Sequence, residues 1–277
     1  MKVLTSPGKI NIGLWVIGKR ADGYHNIFTF MHTVSISDRI YIKPSSKLRI
    51  RTSLSDESIQ DENNIVFRAI KEFEGYTGLY EDFDVFIEKN IPLGAGLGGG
   101  SSNAAVVLKY LNQFFSNPLT EEELFEVASR VGADVPFFLK GGFALVEGKG
   151  EKITYLDKEE DLDLFLVYPN VRSDTRMVYS MVNQELLTKK EELNIIYGLQ
   201  REYGLSKLIQ LAKNSLGEIA KQLYPEIREV VSFLEIQGYK PQISGSGSTV
   251  YCFGEPSEAV KAGCKARNWR VIESKLI

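Results

Sequence analysis

The first half of the chain alternates between apolar and polar positions. In INIGLWVIG (10–18), RIYIKP (39–44), KLRIRT (47–52) and DFDVFIEKN (82–90), β-branched and aromatic residues dominate, and several runs end at Gly, Pro or Asn. This pattern predicts strands. Between them, NNIVFRAIKEFEGYTG (63–78) reads as a helix. A second apolar run predicts a helix from about Ser102 to Phe115. Thr120 and Glu123 form a capping box before Leu124, Val127, Ala128 and Val131, which fall on one helical face that Gly132 ends. The second half predicts a strand in LDLFLVYPN (162–170) and helices over Leu205–Leu223 and Glu226–Gln237, the latter entered through Pro225. Strands in STVYCFG (248–254) and WRVIESK (269–275) close the chain. The charged, aperiodic segment 148–163 reads as a domain junction. The expectation is an α+β chain in two parts, 1–155 and 156–277.

Composition narrows the partners. The chain has 277 residues, 43% apolar and 25% charged, with a formal net charge of −3. No general affinity for nucleic acid or anionic membranes is expected, so an anionic ligand must be held by local positive features. Cys252 and Cys264 lie in no metal-like or redox spacing, which suits a reducing cytosol. The N-terminus lacks the apolar core of a signal peptide, and no run is long enough to span a membrane. A cytoplasmic protein acting on a small molecule is expected.

Four segments carry candidate chemistry. The first is PLGAGLGGGSSNAA (92–105), where glycines crowd the mouth of a helix. Without Cβ atoms, backbone N–H groups can converge on one point, and the helix dipole adds to them. This makes an anion site, with Ser101 and Ser102 placed to cap the helix, touch phosphate or hold Mg2+. No Lys-Ser/Thr follows the glycines, so the Walker pattern fails. Nor does the loop open a first βαβ unit with an acid at a strand end about 20 residues on. The second segment is SGSGS (244–248), which as a lone feature reads as a turn and with the first suggests a shared polyanion site. In the third, SPGKINIGLWVIGKRADGYHNI (6–27), Lys9 and Asn11 share one strand face, and Tyr24 and His25 lie in a turn. The fourth is GADVPFFL (132–139), where Asp134 stands among apolar residues that would form a partly dry pocket suited to a base.

Together these segments resemble the GHMP kinase superfamily, in particular its diphosphocytidyl-methylerythritol branch. PGKINIGLWVIGKRADGYH is similar to that branch's first motif, PLGAGLGGGSSNAA to its ATP motif and ISGSGSTVY to its third. GADVPFFL matches the segment that bears the catalytic Asp, and NNIVFRA and LYPEI add support. The resemblance implies a two-domain GHMP kinase fold, with a ribosomal-protein-S5-like N-terminal domain and a ferredoxin-like C-terminal domain. It implies ATP-dependent phosphorylation of the 2-hydroxyl of 4-diphosphocytidyl-2-C-methyl-D-erythritol, in the non-mevalonate route to isoprenoids. By the same resemblance, Asp134 accepts the hydroxyl proton, and Lys9 lies near it and steadies charge. ATP is bound by Pro92, Leu93, Gly94, Ala95, Gly96, Leu97, Gly98, Gly99, Gly100, Ser101 and Ser102. Asn11, Tyr24, His25, Thr175 and Tyr179 hold the acceptor. Mg2+ is expected to accompany ATP, with no ligands assigned, and the protein is expected to be a monomer or weak homodimer. Gly8 stands where the family usually has Ala, and KNSL (213–216) replaces Asn-Asp-Leu. Competing readings are a kinase for a sugar or mevalonate-like alcohol, and a nucleotide-binding protein without turnover.

Overall fold

The structure is a computed structural model that describes residues 1–157 and 162–277. Strands β1 (Lys2–Lys19), β2 (His25–Pro44), β3 (Arg49–Thr52) and β4 (Phe83–Glu88) occupy the alternating first half. Helices α1 (Ile65–Thr77), α2 (Gly99–Phe114) and α3 (Glu121–Val131) fall where helices are predicted, and the short α4 (Phe137–Lys140), which no period marks, comes after them. Then come β5 (Phe143–Gly148), β6 (Lys152–Leu156), β7 (Asp163–Tyr168), α5 (Thr175–Ser180), α6 (Lys190–Leu211), α7 (Ser215–Leu223) and α8 (Pro225–Ile236). The last elements are β8 (Gln242–Ile243), β9 (Val250–Phe253), α9 (Glu258–Ala266) and β10 (Arg270–Lys275).

Contacts divide the chain into two compact units, each assembled from separate stretches rather than cut near residue 155. One comprises residues 1–8, 36–91 and 98–141, the other 9–35, 92–97 and 142–277. The long β2 supplies its ends to different units, which a linear boundary cannot express. The junction expected over 148–163 lies partly outside the described residues. Its described part contains β6, which pairs antiparallel with β5.

In the first unit, Arg39–Pro44 of β2 pairs antiparallel with β4, and β4 pairs parallel with β3. Helix α1 turns Val66, Ala69, Ile70 and Phe73 inward at helical spacing. The Asn64 side chain caps its start, and Gly78 ends it in the left-handed region. Helix α1 lies against α2, and Ile50, Phe83, Val85 and the α2 residues Val107, Leu108 and Leu111 are likewise excluded from water. The Thr120–Glu123 capping box forms as expected.

In the second unit, Ile27–His32 of β2 pairs with β5, and a four-stranded antiparallel sheet runs in the order β10-β7-β9-β8. Phe165, Val167, Val250 and Cys252 of that sheet bury against Ile227, Val230 and Leu234 of α8 and Val260 of α9. Cys252 and Cys264 are free and buried. The single helix expected over Leu205–Leu223 is two helices. Asn214 accepts a hydrogen bond from the Gly217 N–H, caps α7, and thereby breaks the run. Among the described residues, no helix is long and apolar enough to cross a membrane.

Candidate active site

In the second unit, strand alternation sets Lys9 and Asn11 on one face of β1, as expected, but not in water. Both are 4% exposed. The Lys9 Nζ donates to Asn11 Oδ1 at 2.6 Å and to the Gly96 carbonyl at 2.7 Å. Asn11 Nδ2 donates in turn to Thr29 Oγ1 at 2.9 Å, and Tyr251 donates its hydroxyl to the Asn11 carbonyl at 2.9 Å. Each polar group is therefore oriented by another, which fixes the direction of the ammonium.

The two glycine-rich segments meet around Gly96. Its carbonyl also accepts from Ser244 Oγ at 2.9 Å, and the Thr249 N–H donates to the Ala95 carbonyl at 3.1 Å. A Cβ on Gly96 would stand 2.1 Å from the Ser244 carbonyl oxygen, and φ here is +76°. Only glycine fits. Residues 244–249 are buried and join the antiparallel strands β8 and β9, so the segment is a packed hairpin turn. Asn214 braces it, donating to the carbonyls of Ile243 and Gly245 at 2.7 Å each. Nothing in the local pattern of KNSL pointed to that role. Beside the turn, Thr175 and Ser246 share a hydroxyl–hydroxyl bond of 2.8 Å, and Ser173 Oγ donates to the Ser246 carbonyl at 2.7 Å.

Two predicted rings also come together in this unit. His25 and Tyr179 stack with centroids 5.4 Å apart and planes 22° from parallel. Burial, aided by the charge of Lys19, holds the His25 imidazole below its ordinary pKa. A neutral ring has both a donor and an acceptor nitrogen to offer a base edge. Tyr24 is 59% exposed and lies under the Lys149 ammonium, 5.3 Å from the ring centroid. The unit also carries an open groove of about 600 Å³ lined by Leu187, Lys213, Asn214 and Gln242 among others, and none of the sequence-predicted site residues lines it.

In the first unit, α2 starts at Gly99, three residues before the predicted start at Ser102. Gly98, in the left-handed region at φ +68°, takes the cap position, and no side chain caps the helix. The first-turn N–H groups are thus left for a ligand. Gly99 is glycine because a Cβ there would stand 2.9 Å from Ile91 Cγ2. Ser101 and Ser102 lie inside the first turn and do not cap it. Ser102 is fully buried, and its Oγ accepts from Ser6 Oγ at 2.8 Å. Asp134 sits half-buried in the turn between α3 and α4, followed by the buried Val135, Phe137 and Phe138. Among the described residues, no group of three or more His, Cys, Asp and Glu side chains converges.

Comparison with known proteins then decides the family. The model of the GHMP kinases N terminal domain matches residues 64–142. A 4-diphosphocytidyl-2-C-methyl-D-erythritol kinase of Sulfurihydrogenibium is 52% identical, with both chains covered completely. That of Persephonella marina is 51% identical over the same extent. The chain belongs to the 4-diphosphocytidyl-2-C-methyl-D-erythritol kinase family. A crystal structure of 4-(cytidine 5'-diphospho)-2C-methyl-D-erythritol kinase superposes with a TM-score of 0.79 at 30% identity, covering 99% of each chain. The Methanococcus jannaschii mevalonate kinase shares the fold, with a TM-score of 0.71 at 16% identity, covering 100% of this chain and 98% of its own. The α+β, two-domain GHMP kinase fold and the kinase class expected from the sequence are thus those of the protein.

Proposed function

We propose that this kinase transfers the γ-phosphoryl group of ATP to the 2-hydroxyl of 4-diphosphocytidyl-2-C-methyl-D-erythritol, releasing ADP, as a step of the non-mevalonate isoprenoid route. The full-length identity of 52% to a relative of that name carries the reading. The bare helix mouth of α2 and the glycine loop support it, because phosphoryl transfer asks chiefly for positioning and charge stabilisation.

In this reading the backbone of residues 92–102 holds the triphosphate. Mg2+, when bound, would offset phosphate charge, and no side chain of this protein is assigned to hold it. Asp134 accepts the proton of the acceptor hydroxyl, from within the roughly 2.6–3.2 Å that a general base needs. Lys9, fixed by Asn11 and Gly96, offsets charge on the group in transfer. Asn11 keeps Lys9 aligned and stands with the residues that hold the acceptor. Thr175, joined to Ser246, lies on the acceptor side. The His25–Tyr179 pair and the exposed Tyr24 offer rings and a ring nitrogen to the cytosine.

Release of ADP on addition of the diphosphocytidyl acceptor, set beside mevalonate and a plain polyol, tests the assignment. Turnover with the cytidyl acceptor alone is expected. Equal turnover with mevalonate, or ADP release that ignores added acceptor, contradicts it.

A further inference from the structure

Several buried polar groups of the first unit, none used in the proposed chemistry, converge on one carboxylate. Asp38 of β2 is completely buried. Its Oδ1 accepts from the backbone N–H groups of Asn90 at 2.8 Å and Ile91 at 2.9 Å. Its Oδ2 accepts from Asn103 Nδ2 at 3.0 Å and from Lys89 Nζ. The Lys89 side chain is 5% exposed and also donates to Asn103 Oδ1 at 3.0 Å. Asn103 completes its bonding with Ser6 Oγ at 2.8 Å. A buried carboxylate is tolerated only when its lone pairs are filled and its charge is met, and here both conditions hold.

The positions of these partners matter more than their number. Asn90 and Ile91 are the last residues before the glycine-rich segment, and Asn103 is the first after it. One side chain therefore grips both ends of residues 92–102. Lys89 also reaches the first turn of α2, since a Cβ on Gly99 would stand 3.4 Å from its Nζ. A glycine-rich segment has the greatest conformational freedom to lose, so pinning its ends restricts it where its own sequence does not.

We propose that Asp38 is a positioning residue for the nucleotide: it sets the separation and direction of the two ends of the glycine-rich segment, and Lys89 supplies its counter-charge. Neither is assigned a role toward the cytidyl acceptor. The identity of the ligand rests on the kinase reading above, whereas the clasp itself does not.

The test uses the full chain and the variant Asp38→Asn. Asparagine can still accept from the two backbone N–H groups, but its own N–H2 then faces the donors of Asn103 and Lys89. In the unliganded variant, hydrogen exchange of the peptide spanning 92–103 is expected to rise about tenfold or more, as befits loss of charge-assisted bonds. Calorimetry is expected to give a similar weakening for a non-hydrolysable ATP analogue and less than about a twofold change for CDP, which probes the acceptor side. Unchanged exchange in 92–103, or equal losses for both ligands, overturns the proposal. Should Asp38→Asn fail to fold, Asn103→Ala removes the arm to α2, along with the bonds of Asn103 to Lys89 and Ser6, leaves the Asp38 bonds to the Asn90 and Ile91 N–H groups, and is expected to give the same split. Failure of the wild-type protein to bind the ATP analogue would defeat the kinase reading instead, and the exchange result on unliganded protein would stand apart from it.

Discussion

Lys9 and Lys89 are both withdrawn from water, yet they are held differently. Lys9 donates to an amide oxygen and a backbone carbonyl, while Lys89 donates to the carboxylate of Asp38. The bonds to Asn11 and Gly96 fix the direction of the Lys9 ammonium, and the bond to Asp38 ties Lys89 to a carboxylate that also holds backbone N–H groups. A cation held in direction suits stabilisation of a phosphoryl group in transfer. One tied into a backbone-binding carboxylate suits the holding of backbone. Residue type and burial are nearly the same in the two cases, so the partners decide the role.

The largest expected effect tests whether Lys9 belongs to the chemistry. Asp134→Ala should lower kcat by about 10²–10⁴, the range of general-base assistance. If Lys9 serves the same step, adding Lys9→Met to Asp134→Ala should cost much less than Lys9→Met does alone, because residues acting as a unit are not additive. Lys89→Met should instead cost as much in that background as in the wild type. Steady-state kinetics of the four proteins carrying each lysine substitution, alone and with Asp134→Ala, read this directly. Additive losses for Lys9 would remove it from the transfer step.

A smaller effect isolates the acceptor side. His25→Ala should raise KM for the cytidyl acceptor by roughly tenfold, the value of one good hydrogen bond and a lost stacking surface, and leave KM for ATP unchanged. Equal changes in both constants would place His25 outside acceptor recognition.

The smallest effect concerns pH. Burial first, and Lys19 second, hold the folded-state pKa of His25 below its ordinary value of 6.5. As pH falls through that value, the unfolded chain takes up the proton before the folded one does. His25 therefore destabilises the fold in acid, with the penalty absent above the ordinary value and complete below the folded-state value. Thermal melts should show His25→Gln gaining on the wild type at about pH 5 and matching it at about pH 7.5. A constant difference across that range would deny the shift.

Much of this molecule is legible along its sequence, where the physics is local. Alternation put Lys9 and Asn11 on one face, Thr120 marked a helix start, and Pro225 opened α8. The resemblance of four motifs gave the family. What the sequence does not carry is the meeting of distant segments. Gly99 and Gly100 are poor helix formers, yet Gly98 turns the chain and Ile91 leaves room only for glycine, so α2 begins early. Asn214 looked like a minor departure inside one helix, and its amide in fact braces a turn about 30 residues away, a long-range contact that no local period encodes. Lys89 stood unremarked in a predicted strand and Asp38 just before another, because a charged residue at such a position is ordinarily solvated. The two-unit division was hidden for the same reason: β2 serves both.

The comparison of the two lysines is tested most directly by measuring kcat and KM for ATP in Lys9→Met and Lys89→Met side by side with the diphosphocytidyl acceptor. The account predicts a kcat lower by about two decades with a near-normal KM for Lys9→Met. For Lys89→Met it predicts a KM for ATP raised about tenfold with kcat nearly retained. The same pattern of loss in both variants, or the reverse assignment, would contradict it.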